Sequence, residues 1–443
     1  MNLQKLIVLA VLLAFSFVPG LSHGFGYVES PSFGRVIHVG VEDVKQNQYL
    51  QVPLITWGGD IAAILANGSS TMTTDDSIFG RKGLRLKLVR QDNFKKQVEA
   101  YLKGETPYLR GTMGMINMAA EVISKDNRTK PIIIYQMTWS SGGDCLVVKP
   151  GIQTAKDLKG KNIALQAYGP HVDYLSKILK DAGLSMKDVN IKWTSDLTGT
   201  DNSPAEALYE KDVHAAFVII PDGLMLTSNG TVGTGAEGSI KGARIMLSTK
   251  TANRIIADVY AVRSDYFKSH YNEVKDFVHG LMIAKQQLKT LVSAKESRMP
   301  EYKKTFSAAA EILLDSAQAT GDAQALYGDC EYTGFAGNVK FFGDTKWPRN
   351  INRLTDEIQS AFITIGLLGK KVGIEHAEWN YDNFKPGLTD IDKVDTHRFR
   401  KAEVAKVVAK KQAMGTLNEG ELFSFEINFK PNQNVFSEDI YAD

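Results

Sequence analysis

From residue 50 onward, short apolar runs rich in Val, Ile and Leu alternate with stretches whose apolar residues recur every three or four positions. That alternation predicts strands joined by helices, and the continuous apolar character of the runs predicts parallel strands buried on both faces. "LQVPLIT" (50–56) leads into "DIAAILANG", a helix with Asp60 as candidate N-cap and Asn67-Gly68 as its stop. "LRLKLVRQ" (84–91) precedes the helical "FKKQVEAYLKG". "RGTMGMINMAAEVIS" reads as a strand running into a helix, and "PIIIYQMTW" as a further strand. The unit repeated here is strand then helix, which implies an open α/β lobe.

A second series begins at "CLVVKPG". It continues through strand "NIALQAYG" (162–169), helix "HVDYLSKILKDAG", strand "VNIKWTS", helix "PAEALYEKD" and strand "HAAFVII" (214–220). After "ARIMLSTK" and "DVYAVRSDYF", a long helical pattern starts near residue 271, where a two-lobed chain would return to its first lobe. Residues 303–370 read as helices interrupted by "GDCEYTGFAGNVKFFGDTKWP". The basic stretch 397–421 has helical period and suits either a linker or a solvated helix. "LFSFEINFK" (422–430) places Phe423, Phe425, Ile427 and Phe429 on one strand face.

Length fits this picture, since 443 residues exceed one ordinary core. A net charge of +2 gives no large one-sign field, so nucleic acid is not an implied partner. Two cysteines exclude a disulfide scaffold and a cysteine-rich zinc module. No cofactor or metal motif stands out. "MNLQK", the apolar "LIVLAVLLAFSFV" and "PGLSHG" have the order of a secretory signal peptide, residues 1–24, cut after Gly24. The alternative is a membrane anchor at residues 6–18, for which the run is short. Cleavage would leave Phe25, not a lipidatable cysteine, at the start of an exported chain. Export makes a Cys145–Cys330 disulfide chemically accessible, with a free buried pair as the other state.

Two motifs stand out, "TWGGD" at 56–60 and "TWSSGGD" at 138–144, each directly after an apolar strand. Both are expected at strand carboxyl ends, where ligands of open α/β sheets bind. Trp57 and Trp139 would supply flat apolar walls or else pack the lobes. Gly58, Gly59, Gly142 and Gly143, with Ser140 beside them, would let backbone approach a solute. Asp60 serves either as helix cap or as ligand contact, whereas Asp144 precedes a strand and has no capping explanation. "QAYGPHVD" puts Gln166, Tyr168 and His171 at a strand-to-helix turn, and Asp222 ends another strand. In "RGTMG", Thr112 is the better contact because Arg110 is expected to pair with a surface carboxylate. His171 lacks a nucleophile or metal-ligand partner at telling spacing. The Gly-rich run at 228–242 lacks the GK[ST] ending of a phosphate loop.

"GGDCLVVKPGIQTAKDLKGKNIALQAYGPHVDYLSKILKDAGL", "SPAEALYEKDVHAAFVIIPD" and "ADVYAVRSDYFKSHYNEVKDFVHGL" resemble the periplasmic substrate-binding proteins of ABC transporters. The superfamily is that of nitrate, sulfonate, taurine and thiamine-precursor binders, and the resemblance covers about residues 45–390. It implies a type II periplasmic-binding-protein fold: two α/β lobes with a cleft between them, C-terminal helices and a terminal strand. The boundaries it implies are lobe one at 25–144 and 259–396, lobe two at 145–258, crossings near 144–146 and 257–263, and a linker at 397–421. Residues 422–443 resemble the opening strand of an OmpA-like peptidoglycan-binding module. The implied function is a monomeric, non-enzymatic receptor that captures a small-molecule solute and presents it to an ABC permease, with peptidoglycan a partner through a longer C-terminal module. The acids and aromatics of the cleft favour a cationic or heterocyclic solute. Relatives of this architecture that are enzymes of thiamine-pyrimidine or menaquinone synthesis supply the rival reading, and a cell-wall-associated sensor a third.

Overall fold

The computed structural model describes residues 25–252 and 254–391. The signal-peptide segment 1–24, the linker 397–421 and the OmpA-like start 422–443 lie outside the described residues. The described residues form a mixed α/β fold with two five-stranded sheets and a small parallel pair, β1 (Leu50–Leu54) with β2 (Leu86–Arg90).

The first large sheet contains β3 (Tyr108–Thr112) and β4 (Pro131–Ser140). Every residue of both is buried, the apolar run at the start of β4 as expected and Arg110 of β3 against the pattern. The second contains β5 (Asp144–Val148), β6 (Asn162–Gln166), β7 (Asn190–Thr194), β8 (Ala215–Ile219) and β9 (Arg244–Ser248), in the order β7-β6-β8-β5-β9. The chain then re-enters the first sheet as β10 (Ala257–Arg263) and adds β11 (Cys330–Tyr332) and β12 (Glu375–His376), both paired with β4.

The expected parallel pairing holds for β1 with β2 and for β6 with β7 and β8, and is corrected at the strands that cross. β10 lies antiparallel between β3 and β4, and β5 is antiparallel to β8 and β9. The reason is the crossing itself. β3 and β4 end at the seam between the sheets, as do β6 and β8, whereas a strand that has just crossed starts there. Asp258 opposes Thr112, Ala257 opposes Trp139, and Asp144 opposes Ile219.

Helices cover these sheets. α1 (Ile61–Ala66) follows the first TW motif, and α2 (Met113–Ile123) follows β3. α3 (His171–Asp181) follows β6, α4 (Ile220–Leu226) follows β8, and α5 (Tyr271–Ser293) is the long return helix. α6 (Met299–Leu314), α7 (Gly334–Gly343) and α8 (Ile351–Thr364) close the first-sheet side. α2 is buried nearly all round, so its MGMINMAAEVI sequence has no polar face to show. One buried apolar cluster runs from α2 and β4 through Leu146 and Leu165 to α3, so packing is continuous across the seam. Among the described residues no helix is long and apolar enough to cross a membrane. Cys145 and Cys330 are both buried and lie on different sheets.

Candidate functional site

The strand ends at the seam carry an unusual density of buried acids. Arg110, in the middle of β3, is fully buried. Its Nε and Nη2 donate to Asp60, with Nη2 to Oδ2 at 2.8 Å, and its Nη1 donates to Asp258 Oδ1 at 2.8 Å. Thr138 Oγ1 donates to the other Asp258 oxygen at 3.1 Å. Burial pushes the Asp60 carboxyl up to about 7, with Arg110 pulling the other way. Burial likewise raises Asp258, again opposed by Arg110. Burial also works against the Arg110 charge, but the two aspartates hold the guanidinium above its ordinary value. One cation between two buried carboxylates stays charged; the carboxylates are the groups that are easier to protonate than on the surface.

This arrangement corrects two expectations. Arg110 pairs with buried, not surface, carboxylates. Asp60 precedes α1 yet makes no side-chain cap bond, because its oxygens are taken by the guanidinium.

A second network sits where the chain crosses. Ser140 Oγ donates to Asp144 Oδ2 at 2.6 Å, and Asp144 Oδ1 lies 2.7 Å from His171 Nε2 at the start of α3. Thr249, just past β9, bonds Ser140 Oγ at 2.9 Å and accepts from the Gly142 and Asp144 N–H groups at 2.9 and 3.2 Å. Ser140, Asp144 and His171, separate in sequence, are therefore one cluster. Thr112 caps α2 by accepting from the Met115 N–H.

The two TW motifs do meet, although not as paired walls. Trp57 is half-buried, donates from Nε1 to Thr138 Oγ1 at 3.0 Å, and lies so close to Gly143 that an added Cβ would stand 2.5 Å from its ring. Trp139 is 1% exposed and packs edge-on to Phe341 and Trp347, so lobe packing is its role in this conformation. The glycines admit protein in place of open space: a Cβ on Gly58 would overlap the Leu326 carbonyl, and one on Gly59 would press on Thr138. Tyr168 has a positive φ, packs at a tilt against Phe33 and donates to the Pro31 carbonyl, which draws it toward the N-terminal segment. Gln166 reaches only the Ser195 carbonyl at 3.5 Å. Asp222, in the first turn of α4, keeps one oxygen unpartnered among the described residues, and burial raises its carboxyl.

Sequence reading passed over Asp173, Asp258, Thr249 and Asp329. Asp258 carried a signal, an acid inside the apolar run "ADVYAVR". Asp329, whose carbonyl accepts from the Ser141 N–H, is pushed by burial up to about 6. A groove of about 760 Å³ lies between α3 and α8, lined by Ser176, Lys180, Arg353 and Glu357. It contains none of the strand-end residues and its Lys180 already pairs with Glu357, so the seam is the stronger site. Among the described residues no cluster of His, Cys, Asp and Glu is arranged to hold a metal ion.

The fit of Trp57 over Gly143 gives a direct expectation. Gly143→Ala should displace the Trp57 ring and cost about 1–3 kcal/mol. The check is a red shift in tryptophan fluorescence that disappears in a Trp57→Phe background; an unshifted spectrum would show that the ring sits elsewhere.

Residues 78–288 match the family model described as NMT1/THI5 like. No curated protein sequence matches the chain. Among solved structures, the periplasmic aliphatic sulphonate binding protein SsuA from Escherichia coli is similar at 15% identity, covering 74% of this chain and 91% of that one, with a TM-score of 0.50. The alkanesulfonate-binding protein SsuA from Xanthomonas axonopodis pv. citri, bound to MOPS, is similar at 14% identity over 75% and 100% of the two chains, with a TM-score of 0.48. A Candida albicans gene product described as having the generic periplasmic binding protein fold is similar at 12% identity over 75% and 99%, with a TM-score of 0.49. At these identities the likeness is one of fold, and the fold is that of the periplasmic binding proteins.

Proposed function

We propose that this chain, with the periplasmic-binding-protein fold and a central segment matching the NMT1/THI5-like family, is an exported receptor for a small organic solute. It captures the solute between a lobe formed by residues 25–144 and 259–396 and a lobe formed by 145–258, and delivers it in the periplasm to the permease of an ABC importer. The observation that carries this reading is the gathering of buried acids where the two sheets meet: Asp60 and Asp258 share Arg110, Trp57 joins them through Thr138, and Asp144 meets His171. Strand carboxyl ends facing a second lobe are where open α/β sheets bind small molecules.

The charge at that seam sets the solute's character. A cationic or donor-rich heterocyclic solute fits buried acids, while the sulfonates named for the SsuA proteins would need a free cation, and Arg110 is already shared by Asp60 and Asp258.

An enzyme on the same fold is the competing reading. Ser140 and His171 both bond Asp144, which stands between them, so the imidazole does not activate the hydroxyl as a nucleophile–base pair requires. Native mass spectrometry of the full chain, exported and purified without denaturation, tests the receptor reading. One retained small molecule per chain, released unchanged on unfolding, is expected. Sustained conversion of that molecule to a product would replace the receptor with an enzyme.

A further inference from the structure

Asp173 is the third residue of α3, and it is 2% exposed. Neither carboxyl oxygen has a hydrogen-bond partner among the described residues. Its position is set by the other sheet's helix: a Cβ built on Gly114, in the first turn of α2, would stand 2.7 Å from Asp173 Cγ and 2.8 Å from Oδ1. Only a residue without a side chain at 114 lets this carboxyl reach the seam, so the two positions act together.

The surrounding groups offset its burial only in part: Arg349 draws the carboxyl down without bonding it. Its own N–H and that of Tyr174 lie near but out of hydrogen-bond geometry, and Asp144 adds a like charge. Arg349 is shared, since it donates from Nε to the Arg254 carbonyl and faces Glu357 at 3.5 Å. Arg110 is held by Asp60 and Asp258. Burial accordingly pushes the Asp173 carboxyl up to about 8. A buried carboxyl of this kind either keeps its proton or meets a cation that the protein does not itself provide.

We propose that Asp173 is the charge-recognising residue of the site, and that the solute it selects is an organic cation whose protonated amine or guanidinium binds between the first turns of α2 and α3. This rests on the receptor reading above. Thr112 already occupies the Met115 N–H, and Asp173 itself stands over Gly114, so an anion entering at the start of α2 would meet an acid there. With the two lobes parted, a cation would meet two oxygens that no protein donor holds, and near them the Asp144 carboxylate.

Calorimetric titration of the full chain, stripped of solute by unfolding and refolding, with putrescine, agmatine and ethanesulfonate provides the test. At least one of the two amines should bind the wild-type chain, and Asp173→Asn should weaken it about 10- to 100-fold without lowering the melting temperature. Gly114→Ala should also weaken the amine, and the double variant Gly114→Ala with Asp173→Ala should melt above Gly114→Ala alone because the overlap is gone. Failure of both amines to bind, or amine binding that Asp173→Asn leaves unchanged, would overturn the assignment. So would ethanesulfonate binding that Asp173→Asn tightens. Any of these results, together with a retained solute in the mass spectrum, leaves the receptor reading standing and removes only its cation.

Discussion

Arg110→Ala is expected to destabilise the fold by about 3–5 kcal/mol, the loss typical when one partner of a buried charge cluster is removed. The guanidinium makes the bonds that hold Asp60 and Asp258 at the seam, both of them buried. Without it, two desolvated carboxylates face each other across vacated space. Adding Asp60→Asn to Arg110→Ala should restore part of the loss, because one of the stranded charges goes with it. Arg110→Lys keeps the charge but cannot bond both aspartates in the same fork, so it should fall between. Urea unfolding midpoints decide the matter: a loss below about 1 kcal/mol for Arg110→Ala would mean that water reaches the pair and that the cluster is solvated.

Asp173→Asn should change how stability depends on pH. In the folded chain burial raises the Asp173 carboxyl from an ordinary 3.8 to about 8, so between those values the unfolded chain has lost a proton that the folded chain retains. The stability this proton confers is complete below about pH 4 and disappears as pH rises through about 8, at up to about 1.4 kcal/mol per pH unit. Asparagine carries no such proton. The variant should therefore match wild type near pH 4 and exceed it by about 3–5 kcal/mol near pH 9. Asp60 and Asp329, raised in the same direction, are present in both proteins and cancel in the difference. A difference that stays flat across the range would show that the carboxyl already has a counter-charge in the solute-free chain.

The elements were legible wherever local pattern decides structure. "PIIIYQMTW" becomes β4, "HVDYLSKILKDAG" contains α3, and the pattern starting near 271 becomes α5. Strand direction was not legible, because β5 and β10 run against their neighbours for a reason that lies in the crossing and not in their own residues. The clustering of Ser140, Asp144 and His171 could be read only as three separate strand-end residues, since pairing between β5 and α3 depends on tertiary packing. The Asp60–Arg110–Asp258 set joins residues 50 and 148 positions apart from the arginine, a spacing that carries no periodic signal. Trp139 shows the limit from the other side: tryptophan after a strand suits a pocket wall and a core anchor equally, and Phe341 and Trp347, some two hundred residues on, decide for the core.

The Thr249 hydroxyl, on the returning segment, reaches across to the outgoing one, bonding Ser140 and the Gly142 and Asp144 amides. Outgoing and returning segments are thereby fastened side by side. Opening should then relax as one exponential phase in stopped-flow fluorescence, and Thr249→Val, by unfastening the two paths, should split it into two.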